Sequence, residues 1–420
     1  LVRSISQEMG VHVGFLQDLC GPKIRLGILP EEGVRLIAGD YIALASTNKK
    51  YENALPVEYD NLHKEVNIGE RILLADGMLE LCVTSIEEEK VICKVITGGV
   101  VYTKKGVNMP QTDLHVPAFS EKDRIDLQMA LEEKLDFVAL SFVRSAKDLE
   151  EIKSIIDKSE HKPLLIAKIE KPQAVDNLEE ILDVVNGVMV ARGDLGVEMP
   201  LEEIPHVQKH IIKQARKAGR ITITATQMLA SMVKSQRPTR GETTDVANAV
   251  IDGTDALMLS DETANGDYPD TAVETLARIA SAAEGYSRYT PDFDYSLFRD
   301  NHAFTLAIGR AACWLAKDVG AKCIVCYSAT GLAPYCISRF RPECELLVLT
   351  FDEKVCNMTS LIWGAQGVIS ELMTDLESVI ETAKIKSIEA GLAEHGDTII
   401  VTAGMPFGKT GTTSLLHLIQ

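Results

Sequence analysis

The sequence predicts an α/β protein: a (β/α)8 barrel of the TIM type, a small β-barrel domain inserted in it, and a second α/β domain at the C-terminal end. Between residues 114 and 285, short apolar runs alternate with amphipathic helical patterns, which indicates a parallel sheet covered by helices. Two of these runs end in charged residues, at the strand end where such barrels keep their chemistry. Residues 26–113 instead contain short β-rich runs separated by glycine turns.

Each predicted barrel strand is a short apolar run followed by a turn or by the start of a helix. Ser120 with Asp123, and Ser145 with Asp148, have the spacing of capping boxes and predict the first residues of two helices. The six predicted strands are residues 11–16, 137–140, 164–166, 188–190, 221–225 and 256–259. A closed barrel needs eight strands, so this count predicts that two strand–helix units are missing before Leu1.

The domain boundaries follow from these changes of pattern. The barrel is predicted to occupy residues 1–25 and 114–294, with the inserted β domain at 26–113 and the C-terminal α/β domain at 295–420. The strands of the β domain are expected at residues 34–37, 41–45, 71–74, 79–83 and 91–96. Those of the C-terminal domain are expected at residues 322–327, 345–350 and 398–403, with an edge strand at 414–419. Its helices are expected at residues 304–317 and 376–391.

The composition is that of an ordinary globular protein, with 46% hydrophobic and 25% charged residues. The net charge of −18 argues against a binder of nucleic acid or of anionic membranes, because both need a basic surface. No apolar run is long enough to span a membrane. The nine cysteines show no pairing pattern, and their usage suits a reducing cytoplasm. Cys323 and Cys326 are predicted to point to opposite faces of one strand, which disfavours a zinc site.

Three charged residues at predicted strand ends carry the functional signal. Lys168 and Glu170 are two apart on an extended chain, so their side chains leave the same face. Asp194 follows the next strand and supplies a second carboxylate. Two carboxylates and a lysine at a barrel mouth suit Mg²⁺ and a substrate that gains negative charge as it reacts. A lysine in such a site can also form a Schiff base, and a salt-bridged cluster without chemistry is the third interpretation.

Several motifs, in one order along the chain, resemble those of the pyruvate kinase family. They are QDLCGPKIR at residues 17–25, IAKIEKP at 166–172, VARGDLGVEMP at 190–200, ATQML at 225–229, RPTR at 237–240, DVANA at 245–249, LSDETA at 259–264 and GDYP at 266–269. The resemblance extends over the whole chain. It implies transfer of a phosphoryl group from phosphoenolpyruvate to ADP, giving pyruvate and ATP in the last step of glycolysis, with Mg²⁺ or Mn²⁺ as cofactor.

The resemblance also implies a role for each residue at the barrel mouth. Glu170 and Asp194 hold the divalent metal, and Lys168 stabilises the charge on the transferring phosphoryl group. Gly193 and Thr226 bind the carboxylate of the substrate. Lys168 and Asp194 also contact the substrate. Thr226, together with a water, is a candidate proton donor to the enolate. From the residues alone, a satisfied strand-end hydroxyl is the plain alternative for Thr226.

Nucleotide and cation residues are implied near the start of the chain and in the β domain. The resemblance places Arg25, as a catalytic residue, beside the nucleotide and the transferring phosphoryl group. It places Lys105 on the nucleotide phosphates as the β domain closes as a lid. A solvated surface lysine is the alternative for Lys105. Asp18 resembles a ligand of the family's monovalent cation. Potassium-dependent members carry Glu where this chain has Lys23, whereas potassium-independent members carry Lys there and Leu at the position of Leu19. We therefore predict that K⁺ is not required.

A second ligand site is predicted in the C-terminal domain. Ser328, Thr330 and Gly331 follow a strand, and Gly408 and Gly411 lie in a later glycine-rich loop, where the family binds a phosphorylated effector. Ordinary turns are an equal alternative, because alanines stand where some regulated members carry polar side chains. The family also suggests a homotetramer.

Two departures from the family pattern keep other functions open. Asp261 replaces the usual glycine and adds a charge near the barrel mouth. The family's Arg-x-Asn-x-Ser motif, which supplies a phosphate-binding arginine and cation ligands, has no counterpart in this sequence. The alternatives are a barrel lyase that uses Lys168 as a Schiff base, and a catalytically incompetent fragment or paralogue.

Overall fold

A computed structural model of the protein describes residues 1–48, 54–112, 114–286, 303–405 and 413–420. Its first sheet has six parallel strands that pair in the order of the chain. The first to sixth barrel strands are Leu16–Leu19, Phe137–Leu140, Leu164–Ile169, Gly187–Ala191, Ile221–Ala225 and Ala256–Met258. Parallel strands that pair in sequence, with helices between them, are the arrangement of a (β/α)8 barrel.

Alternate residues of each barrel strand face opposite sides of the sheet. Leu165 and Ala167 pack with the covering helices, whereas Ile166 packs with Met189 in a separate cluster on the inner face. Lys168 is two residues after Ile166, so its side chain leaves the strand on the inner face, at the end where the strands finish. The helices of this part are Glu121–Glu132, Glu150–Lys158, Pro172–Asp176, Leu178–Val184, Arg192–Glu198, Ile204–Ala218, Arg240–Asp252, Asp261–Ala264 and Pro269–Tyr286. Both predicted capping boxes are present.

The first barrel strand differs from the prediction. The apolar run at residues 11–16 was expected to form it, but the strand is Leu16–Leu19. The N–H groups before it bond to side chains: Phe15 N–H donates to the Asp136 carboxylate at 2.8 Å, and Gly14 N–H donates to Ser360 Oγ at 3.2 Å. Asp18 is therefore part of the sheet. The preceding helix, Val2–Met9, was not predicted from the sequence.

The inserted residues form a β unit with its own core. Leu44, Ile72, Leu81 and Val91 are fully buried in it. One sheet contains, in spatial order, Ala54–Val57, Tyr41–Ser46, Lys90–Thr97, Leu79–Glu87, Arg71–Leu74 and Val107–Asn108, and a second pairs Val34–Leu36 with Gly99–Val101. The five runs predicted as strands are confirmed, whereas the short helix Leu62–Glu65 was not predicted. The boundaries predicted at residues 113 and 294 lie outside the described residues.

The C-terminal unit is a five-stranded sheet with helices on it. Cys323 and Cys326 lie on opposite faces, as predicted, since they belong to different hydrophobic clusters. The strands in spatial order are Ala365–Ile369, Glu345–Thr350, Cys323–Tyr327, Ile399–Gly404 and the antiparallel edge strand Thr413–Ile419. The helices are Ala303–Val319, Leu332–Ser338, Glu353–Met358 and Leu376–Glu389. The edge strand is confirmed, but the strand at 365–369 was not predicted. Among the described helices, none combines the length and apolar character that a membrane crossing requires.

The C-terminal unit sits at the end of the barrel where the strands begin. Arg341 forms an ion pair with Asp255, the residue before the sixth barrel strand, at 2.8 Å. Arg216 and Arg339 each donate hydrogen bonds to the backbone carbonyl of the other. The C-terminal unit therefore lies at the end opposite to the one that carries Lys168.

Candidate active site

Lys168 lies at the barrel mouth and is surrounded by hydrogen-bond acceptors. Its Nζ is 3.1 Å from Glu170 Oε1, 3.2 Å from Asp18 Oδ2 and 2.9 Å from Ser141 Oγ. Only 13% of the side chain is exposed. Burial lowers the pKa of Lys168, but the charges of Glu170 and Asp18 outweigh burial and hold that pKa above its ordinary value. The ammonium group therefore keeps its proton at neutral pH and is a fixed positive charge.

Glu170 follows the third barrel strand and has only 1% of its side chain exposed. Its Oε2 accepts a hydrogen bond from Phe142 N–H at 2.8 Å. Phe142 has a φ of 55°, in the left-handed region that few non-glycine residues adopt, and this turn contributes to aiming the N–H at the carboxylate. Burial raises the pKa of Glu170, Lys168 opposes that effect, and the nearby Asp194 adds to it. A buried carboxylate with a second one close by is an arrangement that a bound cation stabilises.

Gly193 and Thr226 form a second polar pair at the mouth. The helix Arg192–Glu198 begins directly after the fourth barrel strand, and Gly193 N–H donates to Thr226 Oγ1 at 2.7 Å. A Cβ at position 193 would lie 3.3 Å from that hydroxyl oxygen, so glycine permits this close approach. Thr226 and Gln227 have φ values of 65° and 56°. A β-branched residue in this region is strained, and such strain is concentrated at functional sites.

Arg192 holds the strained turn at Thr226, a role that was not predicted from the sequence. Its guanidinium donates to the Thr226 carbonyl at 2.9 Å and forms an ion pair with Asp245 at 2.6 Å. The side chain is buried and faces this turn. Its position beside Gly193 in the motif indicates that it belongs to the site. The sequence alone does not separate a positioning role from direct binding of phosphate, because an arginine at a strand end is typical of both. The contacts identify it as a positioning residue.

Glu170 and Asp194 fit a divalent metal site. Each has a lysine beside it: Lys168 at 3.1 Å from Glu170, and Lys23 at 3.8 Å from Asp194. Mg²⁺ prefers hard oxygen ligands, keeps several waters, and in phosphoryl-transfer sites often takes one or two carboxylates together with substrate oxygens. Among the described residues, no group of three or more His, Cys, Asp or Glu side chains is placed to hold a metal. Two carboxylates are therefore enough protein ligands for a Mg²⁺ site whose other ligands are waters and substrate oxygens.

The residues predicted for the nucleotide lie where the β unit joins the barrel. Arg25 pairs with Gly106 in an isolated β-bridge, and its guanidinium donates to the Lys104 carbonyl at 3.1 Å. Lys105 is exposed, and its carbonyl accepts a hydrogen bond from Leu26 N–H at 2.9 Å. Arg25 and Lys105 therefore lie on two backbone segments that are hydrogen-bonded to each other. The side chain of Lys105 is exposed to solvent.

Asp18 and Lys23, predicted to share the position of the monovalent cation, have different partners in the structure. Asp18 binds Lys168, whereas Lys23 lies beside Asp194. Both ammonium groups are therefore within reach of the carboxylates at the mouth. The charge of Lys23 is added on the side of the site where a metal would be held.

Other predicted or neighbouring residues make local contacts. Ser141, which was not predicted, also donates to Asp18 at 3.4 Å. Hydroxyls at strand ends are common, so its sequence position carries no distinct signal. Asp261 is exposed, and its carboxylate accepts a hydrogen bond at 2.8 Å from Asn265, the residue directly after the same short helix. Its charge is therefore engaged locally.

The predicted effector residues belong to the C-terminal unit. Ser328 is buried, and its hydroxyl accepts a hydrogen bond from Gly331 N–H at 3.1 Å, whereas Thr330 is exposed. Gly331 N–H, which a bound phosphate would need as a donor, is therefore already hydrogen-bonded within the turn. Gly408 and Gly411 lie outside the described residues.

The chain is similar to known proteins along almost its whole length. Residues 1–273 match the family model "Pyruvate kinase, barrel domain", and residues 306–419 match "Pyruvate kinase, alpha/beta domain". The chain is 38% identical to the pyruvate kinase of Sporosarcina psychrophila, over 99% of this chain and 72% of that protein. It is 37% identical to a pyruvate kinase of Staphylococcus epidermidis, over 100% of this chain and 72% of that protein. A crystal structure of a pyruvate kinase from Cryptosporidium parvum matches with a TM-score of 0.90 and 34% identity, over 100% of this chain and 86% of that one. The chain belongs to the pyruvate kinase family.

Proposed function

We propose that this chain catalyses the reaction phosphoenolpyruvate + ADP + H⁺ → pyruvate + ATP. The observation that carries the proposal, beside membership of the family, is the protonated Lys168 held by Glu170 and Asp18 at the barrel mouth. Phosphoryl transfer depends on positioning and charge neutralisation more than on covalent chemistry. The test is to incubate the purified protein with phosphoenolpyruvate, ADP and Mg²⁺. Pyruvate and ATP should form in equal amounts, and formation of neither would contradict the proposal.

The residues of the mouth divide this reaction between them. An oxygen of the ADP β-phosphate attacks phosphorus, the bond from phosphorus to the enol oxygen breaks, and its electron pair remains on the enolate. Lys168 stabilises the negative charge on the transferring and leaving oxygens. Gly193 N–H and the Thr226 hydroxyl, which are hydrogen-bonded to each other in the structure, exchange that bond for the substrate carboxylate and orient it. The enolate then takes a proton at its methylene carbon and becomes pyruvate.

Glu170 and Asp194 are the residues proposed to hold Mg²⁺ or Mn²⁺. The bound ion would offset the negative charge of the phosphoryl and enolate oxygens. Two observations support this assignment: burial and the charge of Asp194 raise the pKa of Glu170, and each carboxylate has a lysine beside it where a cation would bind. These lysines remain as additional positive charges for a highly anionic pair of substrates.

The carboxylate site is tested by Thr226→Val, which keeps the shape of the side chain and removes the hydroxyl. The KM for phosphoenolpyruvate should rise about tenfold, the effect of losing one hydrogen bond to a charged group. The KM for ADP should stay unchanged. Steady-state kinetics with each substrate varied in turn measure both values. Thr226→Ser is the matched control and should behave like the unmodified protein, so an equal loss in both variants would contradict the assignment.

Potassium independence is proposed from Lys23, whose ammonium lies 3.8 Å from Asp194. A fixed cation at this place supplies charge that a bound K⁺ otherwise contributes, and it repels K⁺ from the same region. The protein should therefore turn over at nearly its full rate in sodium-only or Tris buffer. Lys23→Glu should make the rate depend on K⁺ by roughly tenfold. Turnover with and without KCl at matched ionic strength measures this, and strong K⁺ activation of the unmodified protein would contradict it.

The remaining features are proposed from the family and from particular observations. Arg25 and Lys105 bind the ADP phosphates as the β unit closes as a lid. The hydrogen bonds between the two backbone segments that carry them support this. A cytoplasmic location is supported by the nine cysteines, all of which lie in the described part of the chain and are free thiols. A homotetramer, and a phosphorylated effector at Ser328, Thr330 and Gly331, are proposed from the family alone. The domain boundaries are proposed from the changes of sequence pattern.

A further inference from the structure

Three segments that carry site residues meet at one buried carboxylate, Glu198. Glu198 is the last residue of the helix Arg192–Glu198, and its side chain is fully buried. Its Oε1 accepts hydrogen bonds from Lys171 Nζ at 2.7 Å and from Asn108 Nδ2 at 2.9 Å. Lys171 directly follows Glu170, and Asn108 ends the last strand of the β unit. The carboxylate therefore joins three parts of the chain: the helix that carries Gly193 and Asp194, the segment that carries Glu170, and the β unit.

Asn108 lies on the segment that returns from the β unit to the barrel. Val107 N–H donates to the Ile24 carbonyl at 3.0 Å, which fixes this segment against the outgoing one. Lys105 lies three residues before Asn108, and Arg25 faces the same segment across its β-bridge. A shift of Asn108 would therefore move both residues that are proposed to bind the nucleotide.

A gap separates part of this segment from the barrel. A cavity of about 40 Å³ lies between the two, and Asn108, Phe142, Lys171 and Gln173 contribute to its lining. Such a space has room for water. The other oxygen of Glu198, Oε2, is buried and has no hydrogen-bond partner within the described part of the chain. Oε1 is therefore the oxygen through which Glu198 contacts both the β unit and the segment after Glu170.

We infer that Glu198 is a positioning residue that sets the register of the β unit over the barrel mouth and thereby the affinity for ADP. The inference rests on the proposed function, because it assumes that Arg25 and Lys105 bind the nucleotide. The proposed carboxylate ligands of phosphoenolpyruvate, Gly193 and Thr226, belong to the barrel alone. A loss of the contact between Asn108 and Glu198 should therefore affect ADP selectively.

The test is Asn108→Asp, which keeps the shape of the side chain and replaces the hydrogen bond by the repulsion of two carboxylates. The KM for ADP should rise about tenfold or more, with the KM for phosphoenolpyruvate within about twofold of the unmodified value. Asn67→Asp is the matched control. Asn67 also donates from Nδ2 to a glutamate, Glu70, at 2.9 Å, but within the exposed part of the β unit. It should leave both KM values unchanged.

A second variant separates positioning from a general loss of structure. Asn108→Asp combined with Glu198→Gln exchanges the donor and the acceptor and keeps the net charge and the hydrogen bond. It should restore the KM for ADP to within about threefold of the unmodified protein. An unchanged KM for ADP in the single variant, an equal loss for both substrates, or a double variant as impaired as the single one would each overturn the inference. An unmodified protein that forms no pyruvate would instead overturn the proposed function.

Discussion

Lys168→Met should lower ATP formation by about a thousandfold or more. Removing a single preorganised stabiliser of developing charge costs about a hundredfold to a thousandfold, and a charged stabiliser of phosphoryl transfer costs more. The structure supports this role, because the ammonium is held between Glu170 and Asp18 at 3.1 and 3.2 Å and keeps its proton. Enolisation of pyruvate, measured as proton exchange into solvent, should partly survive, because it involves no phosphoryl group.

Two further variants make the result for Lys168 specific. Lys354→Met is the matched control, because Lys354 is a half-buried lysine of the C-terminal unit whose Nζ donates to the Lys162 carbonyl at 2.6 Å. It should keep full activity. Lys168→Arg keeps the charge but forms no Schiff base, so it should retain more activity than Lys168→Met. Complete loss in the Arg variant, together with trapping of pyruvate on the unmodified protein by borohydride, would favour the lyase.

Much of the fold could be predicted because the buried strands of a parallel sheet are continuous apolar runs. Phe137–Leu140 and Glu345–Thr350 were predicted with the same bounds that the structure has. The first barrel strand was misplaced for a tertiary reason: the Asp136 and Ser360 side chains bind the backbone of its apolar run. Those partners are far away in the sequence, and no local pattern reports them.

In the candidate site too, contacts set by local sequence patterns could be predicted and tertiary contacts could not. A period of two predicts that Lys168 and Glu170 share a face, and the structure brings them together at 3.1 Å. The contact between Asn108 and Glu198 joins residues 90 positions apart and leaves no trace in periodicity. The strained backbone of Thr226 is equally hidden, because a threonine after a strand predicts an extended conformation, and it is the tertiary contact with Arg192 that supports its positive φ.

Glu170→Gln should lower turnover by about a hundredfold or more at ordinary Mg²⁺ concentrations. Loss of a group that merely supports a metal ligand typically costs about 10- to 100-fold in metal affinity or activity, so loss of a ligand itself should cost at least as much. The variant should fold, because glutamine has the same shape and Lys168 keeps Asp18 as a partner. Removing a buried carboxylate also relieves the desolvation that raises the pKa of Glu170.

Activity alone would not separate metal binding from the support of Lys168, since Glu170 contacts that residue directly. Binding of Mn²⁺, titrated by electron paramagnetic resonance in the presence of phosphoenolpyruvate, provides the second readout. Glu65→Gln is the matched control: Glu65 is a carboxylate of the β unit with 10% of its side chain exposed, and it lies outside the proposed site. We expect Mn²⁺ affinity to fall in Glu170→Gln and to stay unchanged in Glu65→Gln. If turnover fell while Mn²⁺ affinity did not, Glu170 would be a positioning residue for Lys168, and Asp194 would be left as the proposed carboxylate ligand of the metal.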